Sequence, residues 1–126
     1  MRQYLTALEV LAIHADQIER YGGSTGLRDP GQLQAALFRA QTGFYADLVE
    51  EAAALWESLA QNHAFIDGNE RTAFAATYTF LAINGVRLTA DPESTYAFIA
   101  SLYASNAFRF ETLARWLRLN VSESSE

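Results

Sequence analysis

The 126-residue sequence contains no cysteine and no lysine, and only two prolines. Without cysteine there can be no disulfide framework, no thiolate zinc site and no cysteine nucleophile. Without lysine there can be neither a Walker A loop nor the phosphate-binding lysine of a protein-kinase fold. Any phosphate chemistry must therefore depend on arginine, backbone amides and a metal ion.

Basic charge and long apolar runs are also scarce. Nine arginines face fifteen acidic residues, which gives a net charge of -6, and such a surface disfavours sequence-independent binding to nucleic acid. No run approaches the eighteen apolar residues that a membrane span needs. Polar residues at Glu9, His14 and Asp16 also interrupt any signal-peptide core near the N-terminus. We therefore expect a cytoplasmic protein with neither nucleic acid nor membrane as a direct partner.

The periodicity of apolar residues predicts a single all-α domain over residues 1–120, with a polar tail over 121–126. Three aspartates, Asp29, Asp47 and Asp91, stand where they can cap helices, and Pro30 fits the first position of its helix in a capping-box arrangement with Gln32. The segment QTGFYAD, residues 41–47, is predicted to form a loop or short flap. Six helices are expected, at about 4–20, 30–40, 48–62, 69–84, 92–105 and 111–119.

The buried positions follow from the same patterns. The fourth helix is apolar nearly all round, which is typical of a helix in the middle of a bundle. Four aromatic residues are interpreted as core rather than as ligand stackers: Trp56, Phe74, Tyr78 and Phe80. Spacings of three and four predict that the first helix buries a stripe of Leu5, Leu8, Leu11, Ala12, Ala15 and Ile18.

Polar chemistry is concentrated in HAFIDGNERTA, residues 63–73, where the third helix gives way to the fourth. The first turn of a helix offers free backbone N–H groups and the positive end of the helix dipole, and so can bind an anion. Gly68 permits close approach of a ligand, and Asn69 and Arg71 add donors. Asp67 can hold a hard cation such as Mg²⁺, and His63 can accept a proton. Together these groups indicate transfer from a nucleotide to a hydroxyl.

Each of these residues also has a purely structural interpretation. Aspartate and glycine are common in turns, and an arginine in a first helical turn is usually solvated or ion-paired. Phe65 is expected to be an apolar anchor for the loop under either interpretation. Seven positions of this one segment carry residue types that suit such a site, and this combination favours the functional interpretation.

HAFIDGNERTA resembles the Fic/Doc signature, His-x-Phe-x-Asp/Glu-Gly-Asn followed by Arg after one further residue. The preceding IHADQIERYGGSTGLRDPGQLQAAL and the following TYTFLAINGVRLT resemble the Doc, or death-on-curing, branch, which contains toxins of bacterial and phage toxin–antitoxin pairs. The resemblance extends over nearly the whole chain and implies the compact helical Fic/Doc fold.

The resemblance implies specific roles at the matching positions. His63 would be the catalytic base toward a target hydroxyl, and Asp67 would bind Mg²⁺. The nucleotide phosphates of ATP would lie against Gly68, Asn69 and Arg71. The flap, with Thr42, Gly43, Phe44 and Tyr45, would clamp a stretch of target protein by strand addition. The expected partners are a translation factor as target and the C-terminal helical segment of a cognate antitoxin, which completes the bundle and blocks the site.

Two positions qualify the expected reaction. AMP-transferring Fic enzymes have a second arginine three positions after the first, where this chain has Phe74, so the resemblance favours Doc-like kinases that phosphorylate elongation factor Tu. Glu70 stands where Doc kinases typically have lysine. It could point away, help to hold the metal, or alter or abolish nucleotide use. AMP transfer, and a catalytically weakened module that mainly binds its antitoxin, therefore stay open as alternatives.

Three features outside the motif have mainly structural interpretations. His14 is expected to be a surface or hydrogen-bonded core histidine rather than a catalytic one. The GGSTG segment at 22–26 is predicted to end the first helix, because a phosphate loop would need a following lysine and a preceding strand. Arg28 could reach the site or the flap, and we expect it to pair with Asp29 or a helix carboxylate.

Overall fold

A computed structural model describes residues 1–124 of the chain as six helices and one small antiparallel sheet. It confirms the expected all-α domain. The elements in chain order are α1 (Ala7–Tyr21), α2 (Pro30–Ala40), α3 (Leu48–Gln61), α4 (Asn69–Ile83), β1 (Val86–Leu88), α5 (Pro92–Ala104), α6 (Phe110–Leu119) and β2 (Val121–Glu123).

Side-chain caps fix the starts of four helices. Asp29, Asp47 and Asp91 each accept a hydrogen bond from a backbone N–H in the first turn of the helix that follows, as predicted. The reciprocal capping box is found at α1 instead, between Thr6 and Glu9. Each cap satisfies an N–H group that has no partner within the helix, which explains why these helix starts agree with the sequence.

The core is built around α3, which packs against α2, α4 and α6. Trp56 is almost fully buried, and its ring lies against Phe74, Phe108 and Trp116. On α4, Phe80 is buried as expected, but Tyr78 is half exposed. The prediction for Tyr78 was wrong, because one face of α4 is left uncovered between α1 and α5.

The buried stripe of α1 differs from the predicted one. The buried residues of this helix are Val10, His14 and Ile18, spaced four apart. Leu8 is 78% exposed, and Ala12 and Ala15 are also exposed. The prediction is confirmed for Leu5 and Ile18, which are buried, and Leu11 is partly buried. It was wrong for Leu8, Ala12 and Ala15, because the polar His14 belongs to the buried face of the helix.

A two-stranded sheet closes the C-terminal end of the described chain. Val86 pairs with Glu123, Arg87 with Ser122, and Leu88 with Val121, in antiparallel register. The prediction of a polar tail from residue 121 was therefore wrong for residues 121–123, because backbone pairing orders a segment whose side chains are mainly polar. Residues 125 and 126 lie outside the described part of the chain.

Within residues 1–124, none of the six helices is both long enough and apolar enough to cross a membrane.

Candidate functional site

The site forms where the chain turns from α3 into α4. His63 follows the C-cap Asn62 and has a left-handed backbone conformation, with φ of 53°. Gly68 is the N-cap of α4, also left-handed, with φ of 74°. Glycine adopts this conformation without strain. A Cβ at this position would lie 3.0 Å from Cδ1 of Ile18. The loop is therefore packed tightly against α1 at Gly68.

Seven consecutive or nearly consecutive residues line an open recess of about 360 Å³ at this turn. The structure thus brings together every site residue that the sequence placed in the motif. The recess lies at the start of α4, a fifteen-residue helix, where the backbone N–H groups of the first turn favour an anion. The lining residues are His63, Ile66, Asp67, Gly68, Asn69, Glu70 and Arg71.

The Asp67 side chain is held by two backbone donors. Its Oδ2 accepts a hydrogen bond from the Ser24 N–H at 3.0 Å, and its Oδ1 accepts one from the Gly68 N–H at 2.8 Å. The Ser24 bond, followed by the Gly68 bond, lowers the pKa of the Asp67 carboxyl below its ordinary value of 3.8, and the charge of Arg71 acts in the same direction. Asp67 is therefore an anion at neutral pH.

Asn69 holds the loop together. Its Oδ1 accepts from the Phe65 N–H at 3.0 Å, and its Nδ2 donates to the Phe65 carbonyl oxygen at 2.9 Å. The amide is thus engaged with the backbone of a buried residue, whereas the sequence suggested a donor to phosphate. Phe65 itself is 2% exposed and anchors the loop as expected.

Arg71 links the motif to the end of α1. Its Nη2 donates to the carbonyl oxygen of Gly22 at 2.9 Å, its Nη1 donates to that of Gln17 at 3.4 Å, and its guanidinium lies 5.8 Å from the ring centroid of Tyr21. Carbonyls near a helix C-terminus are favourable partners for a cation. The same side chain also lines the recess, so its remaining donors are available there.

Arg28 supports the end of α3. Its Nε donates to the carbonyl oxygen of His63 at 2.8 Å. The expected pairing of Arg28 with Asp29 or a helix carboxylate is not found among residues 1–124, where the Asp29 carboxylate caps α2. Arg28 reaches the site instead. Arg28 therefore fixes the backbone of the candidate base without occupying its imidazole.

The segment after α1 is part of the site as well as the end of the helix. Gly22 caps α1, as predicted for GGSTG. Beyond it, Leu27 and Phe65 form an antiparallel bridge, the Ile66 N–H donates to the Gly26 carbonyl oxygen at 3.1 Å, and the Ser24 N–H reaches Asp67. The sequence contains no local pattern for this pairing across about forty residues. The only available signal was the accumulation of glycines at 22, 23 and 26.

His14 lies beneath the loop. It is 5% exposed, and its ring stacks on that of Phe65 with centroids 3.9 Å apart. Its Nε2 is 2.8 Å from the carbonyl oxygen of Asp67. The interpretation as a hydrogen-bonded core histidine is confirmed, and the partner is the backbone of a site residue.

Glu70 lies at the border between the recess and a second, larger hollow. It is exposed. Burial, with a smaller contribution from the negative charge of Glu70, raises the pKa of the Tyr103 phenol above its usual range. Glu70 also lines the larger hollow together with Tyr96 and Ile99 of α5, so it lies on the side of α4 that faces α5.

The flap adopts no strand in this structure. Tyr45 accepts a hydrogen bond from Arg39 Nε at 2.7 Å and packs against Phe110, while Phe44 is 83% exposed. Thr42 bonds to the backbone of Arg39, and Gly43 has a left-handed conformation. Among residues 1–124 these flap contacts do not include the residues that line the recess, so the docking role of Thr42, Gly43, Phe44 and Tyr45 stays a prediction.

The larger hollow is an apolar groove of about 930 Å³. Its floor is one face of α4, with Phe74, Ala75 and Tyr78, and α1 and α5 form its walls. Arg71 and Glu70 line one end, so the groove meets the recess there.

The donor set fits Mg²⁺ better than zinc. Mg²⁺ commonly binds one or two protein carboxylates together with substrate phosphates and water. Asp67 supplies one ionised carboxylate whose oxygens each accept a single hydrogen bond from the protein. Within residues 1–124 no group of three or more His, Cys, Asp or Glu side chains could hold a metal ion, whereas a catalytic zinc site needs three protein ligands and a structural one needs four.

The chain is similar to one protein family and to two named relatives. Residues 4–81, which include α1 to α3, most of α4 and the whole motif, match the Fic/DOC family. The chain is 49% identical over 96 residues to Toxin Doc from Mycolicibacterium smegmatis, covering 72% of each chain. It is 36% identical over 95 residues to Protein kinase doc from Escherichia phage P1, covering 72% of this chain and 75% of that protein. The chain belongs to the Fic/DOC family.

Proposed function

We propose that this protein is a Doc-like toxin that transfers phosphate from ATP to a threonine or serine hydroxyl of a translation factor. The observation that carries the proposal is the recess at the start of α4, where His63, the Asp67 carboxylate and Arg71 line one space. The relative named Protein kinase doc supports phosphate as the transferred group, and the relative named Toxin Doc supports a toxic outcome. Elongation factor Tu is the target that we infer from the family.

His63 is the base in this proposal. Its imidazole accepts the proton of the target hydroxyl while the hydroxyl oxygen forms a bond to the γ-phosphorus of ATP. The bond from that phosphorus to the bridging β–γ oxygen breaks, and ADP leaves with the electron pair. The exposed position of His63 leaves its side chain accessible to a protein substrate.

The start of α4 binds the phosphates. Backbone N–H groups in its first turn and the guanidinium of Arg71 offer donors to phosphate oxygens. Asp67 would hold Mg²⁺, which neutralises phosphate charge when bound. The hydrogen bonds of Asn69 to Phe65 keep these groups in register.

AMP transfer is the second reaction to consider. The site lacks a second arginine at position 74, where this chain has Phe74, half-buried against Trp56. Because AMP-transferring members of the family have that second arginine and the phage relative is named Protein kinase doc, phosphate transfer is the better-supported reaction. A module that mainly binds its antitoxin is the alternative of a different class, and it rests on Glu70 beside the phosphate site.

Radiolabelled ATP distinguishes these three functions. The protein is incubated with Mg²⁺, purified translation factor, and ATP labelled at either the γ- or the α-phosphate. We expect γ-label on the target and none from α-labelled ATP. Label from α-ATP would establish AMP transfer, and no label from either nucleotide together with no ATP binding in calorimetry would favour the binding module.

Two variants test the proposed site residues. His63→Asn removes the base, and Arg71→Ala removes the guanidinium that binds phosphate. Asparagine tolerates the left-handed backbone of position 63 better than alanine does, so its expected loss of about 10²- to 10⁴-fold in transfer reports the missing base. Arg115→Ala removes an exposed arginine of α6 and serves as control for Arg71→Ala. Unchanged transfer by folded His63→Asn would overturn the assignment of the base.

We further propose that the apolar groove receives the C-terminal helical segment of a cognate antitoxin. Phe74 and Tyr78 are one helical turn apart on its floor, which suits an amphipathic helix with apolar residues at matching intervals. Such a helix would end beside Arg71 and cover the recess.

The groove can be tested with Tyr78→Asp, which places a charge on the floor. We expect binding of a synthetic antitoxin C-terminal peptide to weaken at least tenfold in calorimetry. Phe38→Asp, on an exposed aromatic of α2, should leave binding unchanged. Equal effects of the two variants would exclude the groove as the binding surface.

A further inference from the structure

We infer that His14 is a positioning residue of the phosphate site, which orients the peptide between Asp67 and Gly68. The donor is Nε2–H of the imidazole and the acceptor is the Asp67 carbonyl oxygen, 2.8 Å away. A carbonyl oxygen only accepts hydrogen bonds, so Nε2 must bear the proton. The inference concerns how this chain forms the site, and its consequence for ATP rests on the proposed function.

The peptide that His14 holds is bonded at both ends. Its carbonyl oxygen faces His14 in the interior, and its N–H, that of Gly68, donates to Oδ1 of Asp67 at 2.8 Å. Because a trans peptide is planar, its C=O and N–H groups point in opposite directions. Fixing the oxygen toward His14 therefore directs the N–H outward, to the Asp67 carboxylate.

The same peptide sets the start of α4. Gly68 has the left-handed conformation, and the Thr72 N–H donates to its carbonyl oxygen at 3.0 Å in the first turn of the helix. A flip of the peptide would withdraw one of the two donors that hold Asp67 and would change the N-cap. His14 thus determines the orientation of a carboxylate that its side chain does not contact through a hydrogen bond.

Packing alone does not require histidine at this position. The ring lies on Phe65 at an angle of 7° between planes, an arrangement that a phenylalanine could also make. Only the hydrogen bond to Asp67 requires the nitrogen. The two contributions can therefore be separated by substitution.

Two variants isolate the donor. His14→Phe keeps an aromatic ring on Phe65 and removes the donor, whereas His14→Gln removes the ring and places an amide N–H near the position of Nε2. We expect His14→Phe to weaken Mg²⁺-dependent ATP binding about 10- to 100-fold, as loss of a supporting contact to a metal ligand typically does. His14→Gln should recover much of this loss, although it is the less well packed of the two.

Two measurements do not depend on ATP. Nitrogen-15 NMR of the wild-type protein should show His14 protonated at Nε2, and amide hydrogen exchange at Gly68 should accelerate in His14→Phe and less so in His14→Gln. An Nε2-unprotonated ring, or Gly68 exchange that follows only the change in global stability, would overturn the inference. So would equal ATP affinity in His14→Phe and a wild-type protein that does bind ATP.

Failure of the proposed function would be recognised separately. If the wild-type protein binds no ATP while the tautomer and the Gly68 exchange behave as described, His14 positions the peptide and the nucleotide assignment is wrong. If ATP binds and His14→Phe leaves both its affinity and the Gly68 exchange unchanged, the role of His14 is wrong and the proposed function stands.

Discussion

The backbone N–H of Ser24 donates to Oδ2 of Asp67 at 3.0 Å, which connects the segment after α1 to the loop before α4. Forty-three residues separate the two positions in the sequence. The carboxylate that we propose for Mg²⁺ binding is therefore oriented by a backbone segment outside the motif. Four predictions concern this loop and its neighbours.

The acid stability of the protein should depend on Asp67. Its pKa is lowered by the Ser24 and Gly68 N–H groups, so the folded state binds the proton more weakly than the unfolded chain, whose aspartates have a pKa of about 3.9. The stabilisation is complete above that value and is lost as pH falls through the folded-state pKa. Urea unfolding measured from pH 6 to pH 2 should show a smaller decrease in the free energy of unfolding for Asp67→Asn than for wild type. An equal decrease in the two proteins would show that Asp67 does not contribute to the acid dependence of stability.

Gly23→Ala should destabilise the protein more than Gly22→Ala. A Cβ on Gly23 would lie 2.7 Å from Oδ2 of Asp67, whereas one on Gly22 would meet no atom within 4 Å. Both glycines have positive φ, so both variants incur backbone strain. We expect a loss of about 2–3 kcal/mol for Gly23→Ala and about 1–2 kcal/mol for Gly22→Ala in denaturant unfolding.

Only Gly23→Ala should also shift the NMR signals of Ser24 and Asp67. A Gly22→Ala variant with the same spectral changes would show that strain, rather than the contact with Asp67, is responsible.

Asn69→Ala should destabilise the loop before α4. The substitution leaves the N–H and the C=O of buried Phe65 without their partner, at a cost of about 2–4 kcal/mol in the free energy of unfolding. Asn62→Ala, which removes a single bond to the Gln32 carbonyl oxygen, is the control and should cost about 0.5–1.5 kcal/mol. Similar decreases in the free energy of unfolding for the two variants would argue against a role of Asn69 in bonding both the N–H and the C=O of Phe65.

Glu70→Gln should strengthen binding of Mg²⁺-ATP about two- to fivefold, because it removes an exposed negative charge from the recess in which we propose that the phosphates bind. Glu93→Gln is a matched control, since Glu93 is also an exposed acid in the first turn of a helix, α5. Calorimetry at two salt concentrations measures the effect, which should shrink at the higher one. Weaker binding by Glu70→Gln would instead indicate that Glu70 helps to hold the metal.

The features that the sequence predicted well are those that depend on neighbouring residues. Asp29, Asp47 and Asp91 cap their helices because a side chain and the N–H three residues later are close in any chain that forms a helix. His63, Asp67, Gly68 and Arg71 meet at the recess for a similar reason, since a short turn followed by a helix start keeps them together. The sequence by itself therefore determined the helices, the family and the residues of the recess.

Tertiary structure decided what those residues bond to. The exposure of Leu8 and Tyr78, the burial of His14 and the pairing of Val121–Glu123 with Val86–Leu88 depend on which elements become neighbours in space. The anchoring of Asp67 by Ser24 and of Arg71 by Gly22 spans 43 and 49 residues. Hydrogen bonds over such separations have no local pattern, because backbone donors and acceptors are the same at every residue and only the folded chain selects which of them meet.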